Sequence, residues 1–191
     1  MRYFFLCALM TLSYSCDKDR DQEDLSPQFK LMGGESLSGS WENSCVSNED
    51  DDFKLQISFS GGKYFNKTRN TYISEGCEEL GHTTTVTGSY ELFEDADYQS
   101  NINFEISEVN IVPKNEEVAE LFNSISFCGL NDWQTNQLKS FREGSCGPAQ
   151  GHKVINAGIS VVGDGLKIRV KLDEANEQFS NEVYRRTNIA H

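Results

Sequence analysis

The sequence is short of positive charge. Seventeen lysines and arginines face thirty aspartates and glutamates, for a formal net charge of −13. Without a basic patch there is nothing to neutralise phosphates, so nucleic acid is excluded as a partner. Histidine is equally scarce, with only His82, His152 and His191. A nucleophile–base centre needs a histidine oriented by a third group, and no nucleophile-elbow motif accompanies these three. His82 and His152 each follow a glycine, which reads as exposed turns. No catalytic residue and no cofactor is expected, and the chain is read as a non-enzyme.

Metal-binding patterns are missing too. No cysteine has a ligand partner a few residues away, as a zinc site needs. The acidic run Asn48-Glu49-Asp50-Asp51-Asp52 lacks the spaced ligands and glycine of a calcium loop, and reads as a solvated loop. Long apolar stretches are absent as well. The longest, residues 3–12, is too short for a permanent membrane-spanning helix. Helical and strand patterns do not alternate, which argues against a parallel sheet.

That apolar stretch has a different use. It follows Met1-Arg2 and precedes Ser13-Tyr14-Ser15-Cys16, the layout of an export signal over residues 1–15. Cys7 leaves with the signal, and Cys45, Cys77, Cys128 and Cys146 form an even set. Cys16 is then the odd one, and acylation of its thiol removes the imbalance. This resembles a bacterial lipoprotein signal, with Ser13 standing where such signals usually carry leucine. Cys16 is accordingly the expected lipidation site. Residues 16–36 are polar and broken by Pro27 and Gly33-Gly34. They read as a flexible lipid-anchored tether, reaching roughly 25 Å for a chain of that length.

From residue 37 onward the periodicity is two. Phe53, Leu55, Ile57 and Phe59 alternate with polar residues, and Gly61-Gly62 marks a hairpin turn. Residues 63–73 and 83–93 read as strands that are polar on both faces, with Gly88 marking a bulge or bend. Residues 101–106 alternate again, and residues 116–122 read as a helix with acidic residues in the first turn. Three strands end the chain at residues 153–162, 166–172 and 179–187, the middle one the most clearly amphipathic. The count is about eight antiparallel strands, in a sandwich or an up-and-down barrel.

Gly39-Ser40-Trp41 on the first strand, the strands that follow, and a basic residue on the last one resemble the lipocalin (calycin) superfamily. More narrowly, the order Trp41, Cys45, Cys77, Gly88-Ser89-Tyr90, Cys128-Gly129, Asp132-Trp133 and Cys146 resembles lipocalin-like bacterial lipoproteins of uncharacterised function. The family's Thr-Asp-Tyr motif is missing. The resemblance implies an all-β fold: an eight-stranded antiparallel up-and-down barrel over residues 37–191. It carries one short helix and a disulfide-closed loop between strands 5 and 6. Trp41 would close one end beneath a cation from the last strand, which strand parity with Phe179 and Val183 assigns to Arg185. Family order implies the pairs Cys45–Cys77 and Cys128–Cys146, among three connectivities that four cysteines allow.

Candidate binding residues are Trp133 and Phe141 inside the Cys128–Cys146 loop, Phe127 adjoining it, and Tyr90. The bland alternative is that the loop aromatics form a small core of their own. The expected protein is a monomeric lipoprotein of the bacterial cell envelope, extracytoplasmic and tethered to the membrane by its lipid. It would bind a small-molecule or protein ligand without catalysis. The alternative is a structural or interaction lipoprotein, inhibitor-like or adhesive, built on a filled barrel.

Overall fold

The computed structural model describes residues 37–48, 51–94, 100–142, 145–146, 154–173 and 178–187, with side chains except at 171–173 and 178–181. Cys16, the signal, the tether, His152 and His191 lie outside the described residues. The strands are β1 (Gly39–Glu42), β2 (Val46–Ser47), β3 (Asp52–Ser60), β4 (Tyr64–Tyr72), β5 (Leu80–Glu94), β6 (Ser100–Pro113), β7 (Lys139–Arg142), β8 (Val154–Val162), β9 (Gly165–Asp173) and β10 (Gln178–Arg186). Helix α1 (Glu116–Ser124) and a 3-10 turn (Phe127–Gly129) stand between β6 and β7.

Eight of these strands close a ring. Each pairs antiparallel with its neighbour in the order β1-β3-β4-β5-β6-β8-β9-β10, and β10 returns to β1. Closure runs through a four-residue strand. Trp41 pairs with Ile57 on one side and with Arg186 on the other. A ring has no free edges, so the backbone groups along both sides of each strand find partners. The all-β, closed, eight-stranded antiparallel barrel expected from the sequence therefore forms, with its helix and both disulfides.

Local chemistry explains the hairpins. Gly61 and Gly62 have φ of 57° and 70°, which suits glycine and lets β3 fold straight back on β4. Gly163, at φ 60°, does the same between β8 and β9. Helix α1 starts where Asn115 accepts a hydrogen bond from the Glu117 backbone N–H at 2.8 Å. Glu116 and Glu117 stand at the positive end of its dipole.

Three features differ from the sequence reading. Two short strands, β2 and β7, had no sequence signal, because pairings of two to four residues are decided by what lies beside them. Gly81-His82 is not an exposed turn but part of β5. Gly81 is buried, and a Cβ there would come within 2.7 Å of the Ile73 side chain and 3.3 Å of Val118 on α1. The glycine serves close approach rather than a bend. Lastly, β5 and β6 slip register at Thr87/Gly88, where Gly88 faces Ile106 and Ser107 is left over. A Cβ on Gly88 would overlap the Glu105 carbonyl oxygen, so only glycine fits. The bulge reverses the parity of β6. Ile102, Phe104 and Ile106 point inward below it, and Val109 and Ile111 above it.

Candidate functional site: the barrel cavity

The inner wall has a chemical asymmetry. From β3, β6 and β9 come apolar groups such as Leu55, Ile57, Phe104, Ile106 and Ile168. From β4 come Lys67 and Arg69, two residues apart and therefore on one face of the strand. Strand β5 adds Thr84, which is buried, and β10 adds Glu182. Together these groups line a partly open cavity of about 250 Å³.

Each charge in the cavity has a partner. The Lys67 ammonium donates to Glu182 Oε1 at 2.5 Å, across strands that are 115 residues apart in sequence. Glu182 Oε2 accepts from the Tyr184 hydroxyl at 2.7 Å. Tyr184 is fully buried, and its hydroxyl is held protonated, first by desolvation and then by the neighbouring carboxylate. Arg69 donates through Nη2 to both oxygens of Asp51 at 2.9 and 2.8 Å, while its guanidinium lies 4.1 Å from the centre of the Phe53 ring. The Glu182 side chain is 14% exposed and the Arg69 side chain 36%, so the Lys67–Glu182 pair lies deeper than the Arg69–Asp51 pair.

His82 points inward on β5, half-buried, with its ring 5.4 Å from that of Phe122 on α1. Desolvation, and after it the charge of Arg69, push its pKa below the ordinary 6.5, while Asp51 pulls the other way.

The aromatic residues singled out in the sequence sit elsewhere. Phe127, Trp133 and Phe141 belong to the excursion between β6 and β8, where they pack on one another and on Phe122. The ring centroids are 4.2 Å apart for Phe122–Phe127, 5.2 Å for Phe122–Trp133 and 6.0 Å for Trp133–Phe141. Trp133 is 3% exposed, and its indole N–H donates to the Phe127 carbonyl at 3.2 Å. Asn123 clamps the Trp133 backbone with two more hydrogen bonds, at 2.7 and 3.0 Å. This is a packed small core, fastened by the Cys128–Cys146 disulfide. Tyr90 lies edge-on to Phe59 at 5.1 Å in a second aromatic group that also holds Phe65 and Phe104. None of Phe127, Trp133, Phe141 and Tyr90 lines the cavity.

The cation at the closing tryptophan also differs. Arg186, not Arg185, lies over Trp41, with its guanidinium carbon 4.5 Å from the ring centre. On β10 the even residues face in. Tyr184 is fully buried, whereas Val183 is 54% exposed, which inverts the parity assumed from Val183. Register puts Arg185 opposite Glu42 and Arg186 opposite Trp41. Trp41 is itself fully buried and donates its indole N–H to the Leu37 carbonyl at 3.2 Å.

Both disulfides join neighbouring cysteines, Cys45–Cys77 with Cα atoms 5.9 Å apart and Cys128–Cys146 with Cα atoms 5.3 Å apart. Both spacings are ordinary for such a bond. Among the described residues one cluster could in principle hold a metal: Cys45, Cys77 and Asp52. Its sulfurs are bonded to each other and are not thiolates, so the donor set does not fit a cation. The Asp52 carboxyl is held below its ordinary range by the Ser47 side chain. The backbone N–H groups of Gly76 and Cys77 act in the same direction, against the desolvation that opposes them. Of the acidic run, Asp51 and Asp52 are thus engaged by Arg69 and by the loop backbone; Glu49 and Asp50 lie outside the described residues.

The sequence reading missed Lys67, Arg69, Thr84 and Glu182. A signal for two of them was present. Phe65, Lys67 and Arg69 share the parity of an inward-facing aromatic, but a strand polar on both sides gave no reason to choose a face. No protein-family model matches this chain, and no curated protein sequence does.

Proposed function

We propose that this chain is a lipid-anchored lipoprotein of the bacterial cell envelope, whose lipocalin-like barrel binds a small molecule outside the cytoplasm and does no chemistry on it. The observation that carries the reading is the cavity. An apolar chamber with a few converging polar groups is the usual form of a small-molecule site. Its volume is about 250 Å³. Sites for drug-sized ligands start at roughly 300 Å³, so the ligand here is compact. The lipocalin resemblance is supported by Trp41 beneath Arg186 at the seam where first and last strands meet.

Binding is tested with a neutral fluorescent naphthalene derivative and the variant Ile106→Trp, which fills the chamber. Saturable uptake by the parent protein and its loss in a variant that keeps its circular dichroism support the reading. Equal uptake by both proteins overturns it. The anchor is tested by labelling cells with radioactive palmitate. Label in the parent and none in Cys16→Ser is expected; an unlabelled parent ends the lipoprotein reading.

A second reading, an interaction module, is favoured by one observation. Helix α1 leaves Leu121 exposed at 55%, and its C-cap Ile125, one turn on, at 59%. Replacing both with serine should leave ligand uptake untouched while abolishing recovery of any crosslinked envelope partner.

A further inference from the structure

We infer that the cavity is built for a compact organic anion, a small carboxylic acid with an apolar ring or short chain, gripped by Lys67 and Arg69. The inference rests on the small-molecule reading above and narrows it to a charge and a size. Among the described residues that line the chamber, Lys67 and Arg69 are the only cations, and they face it from adjacent inward positions of one strand. Glu182 is the only carboxylate of that lining. Asp51, which balances Arg69, is outside it.

Hydrogen-bonding capacity points the same way. An ammonium has three N–H donors and a guanidinium five, and neither accepts. Lys67 uses one donor on Glu182, and Arg69 uses Nη2 alone on Asp51. Glu182 already takes one donor on each oxygen. The polar side of the chamber therefore offers more donors than acceptors. A ligand rich in acceptors answers it; an amine does not. Carboxylate bonds to guanidinium and ammonium are also among the stronger hydrogen bonds.

Fold stability gives little reason for these cations. Ion pairs as exposed as these add little to stability, because side-chain ordering and desolvation offset the attraction. The same lining includes Ile106, Ile168 and Phe104, which suit a hydrocarbon body. A carboxylate on Lys67 and Arg69 with its apolar part against β6 and β9 would occupy the chamber with both ends matched.

The test is a matched pair of probes, 1-naphthoate and 1-naphthylmethanol, titrated into the full-length chain by calorimetry at one ionic strength. They share a ring and differ in charge. The expected result is naphthoate binding at least tenfold tighter. In Arg69→Gln and Lys67→Met that preference should fall below threefold, while the alcohol binds as before. Lys67→Met leaves Glu182 without its cation and is the variant more prone to misfold; Arg69→Gln and the two probes on the parent protein decide without it. Equal affinity of the parent for both probes overturns the anion inference and leaves the small-molecule reading standing. Binding of neither probe overturns both.

Discussion

The barrel interior and the excursion between β6 and β8 draw on the same kinds of side chain, and they end in opposite states. The excursion is full. Phe122, Phe127, Trp133 and Phe141 stack and tilt against one another, the indole N–H is satisfied, and a disulfide fastens the segment. In the barrel, Phe59, Phe65, Tyr90 and Phe104 meet beside the cavity, and Phe65 and Phe104 line it together with an ion pair and aliphatic side chains. What sets the cavity apart from the excursion is therefore its inward-facing charges, Lys67, Arg69 and Glu182, rather than its aromatic content. An aromatic pair gains when its rings approach, so it closes space.

Four experiments would break or sharpen this contrast. The largest effect belongs to the full region. Trp133→Ala should cost about 3–5 kcal/mol in urea unfolding, the usual range for a buried tryptophan, while probe binding in the barrel is retained at temperatures where the variant is folded. Loss of binding in a folded variant would mean that the two regions are coupled.

Adding volume separates them next. Ala119→Leu, at a buried helix position packed in the core, should destabilise by about 1–3 kcal/mol through overpacking. Val86→Leu, on the cavity wall, should be neutral or stabilise by up to about 1 kcal/mol by filling space, and should weaken ligand binding. Similar costs at both sites would show that the barrel is not hollow in solution.

At the closing seam, Arg186→Met should cost about 0.5–1 kcal/mol, the worth of an exposed cation over an indole face. Arg185→Met should stay within about 0.5 kcal/mol of the parent, as surface changes do. Thermal melts of the two variants side by side would read the parity of β10 directly.

The smallest effect is on acid stability. His82 has a folded pKa below the ordinary 6.5, so its neutral form favours folding. Its contribution is present above about pH 6.5 and is lost as pH falls through that value toward the folded pKa, because the unfolded chain takes up the proton first. The midpoint of thermal unfolding should drop less steeply between pH 7 and 5 in His82→Gln than in the parent. Parallel slopes would count against the buried placement of this ring against Phe122.

Much of the barrel was legible in the chain itself. The alternation of Leu55, Ile57 and Phe59 against polar neighbours declares a one-faced strand, and Gly61-Gly62 declares where it turns. The candidate site was legible only in outline. Lys67 and Arg69 stand on a strand whose neighbours are Asn66, Thr68 and Asn70, so no contrast in polarity showed which set faced inward. Glu182 lies 115 residues from its partner Lys67, beyond any local pattern. The aromatics of the excursion stood out because they are large, and size alone does not distinguish a lid from a core.

By itself, then, the sequence determined strand periodicity, the turns, antiparallel order and the even set of cysteines, since each follows from sterics or chemistry over a few residues. The tertiary structure alone decided which arginine covers Trp41, which face of β4 is interior, that β7 pairs with β6, and that the chamber is left unfilled. Those outcomes depend on a bulge at Gly88 that reverses parity and on closure between strands at opposite ends of the chain. Both are set by packing across the barrel, where residues meet that no local rule relates.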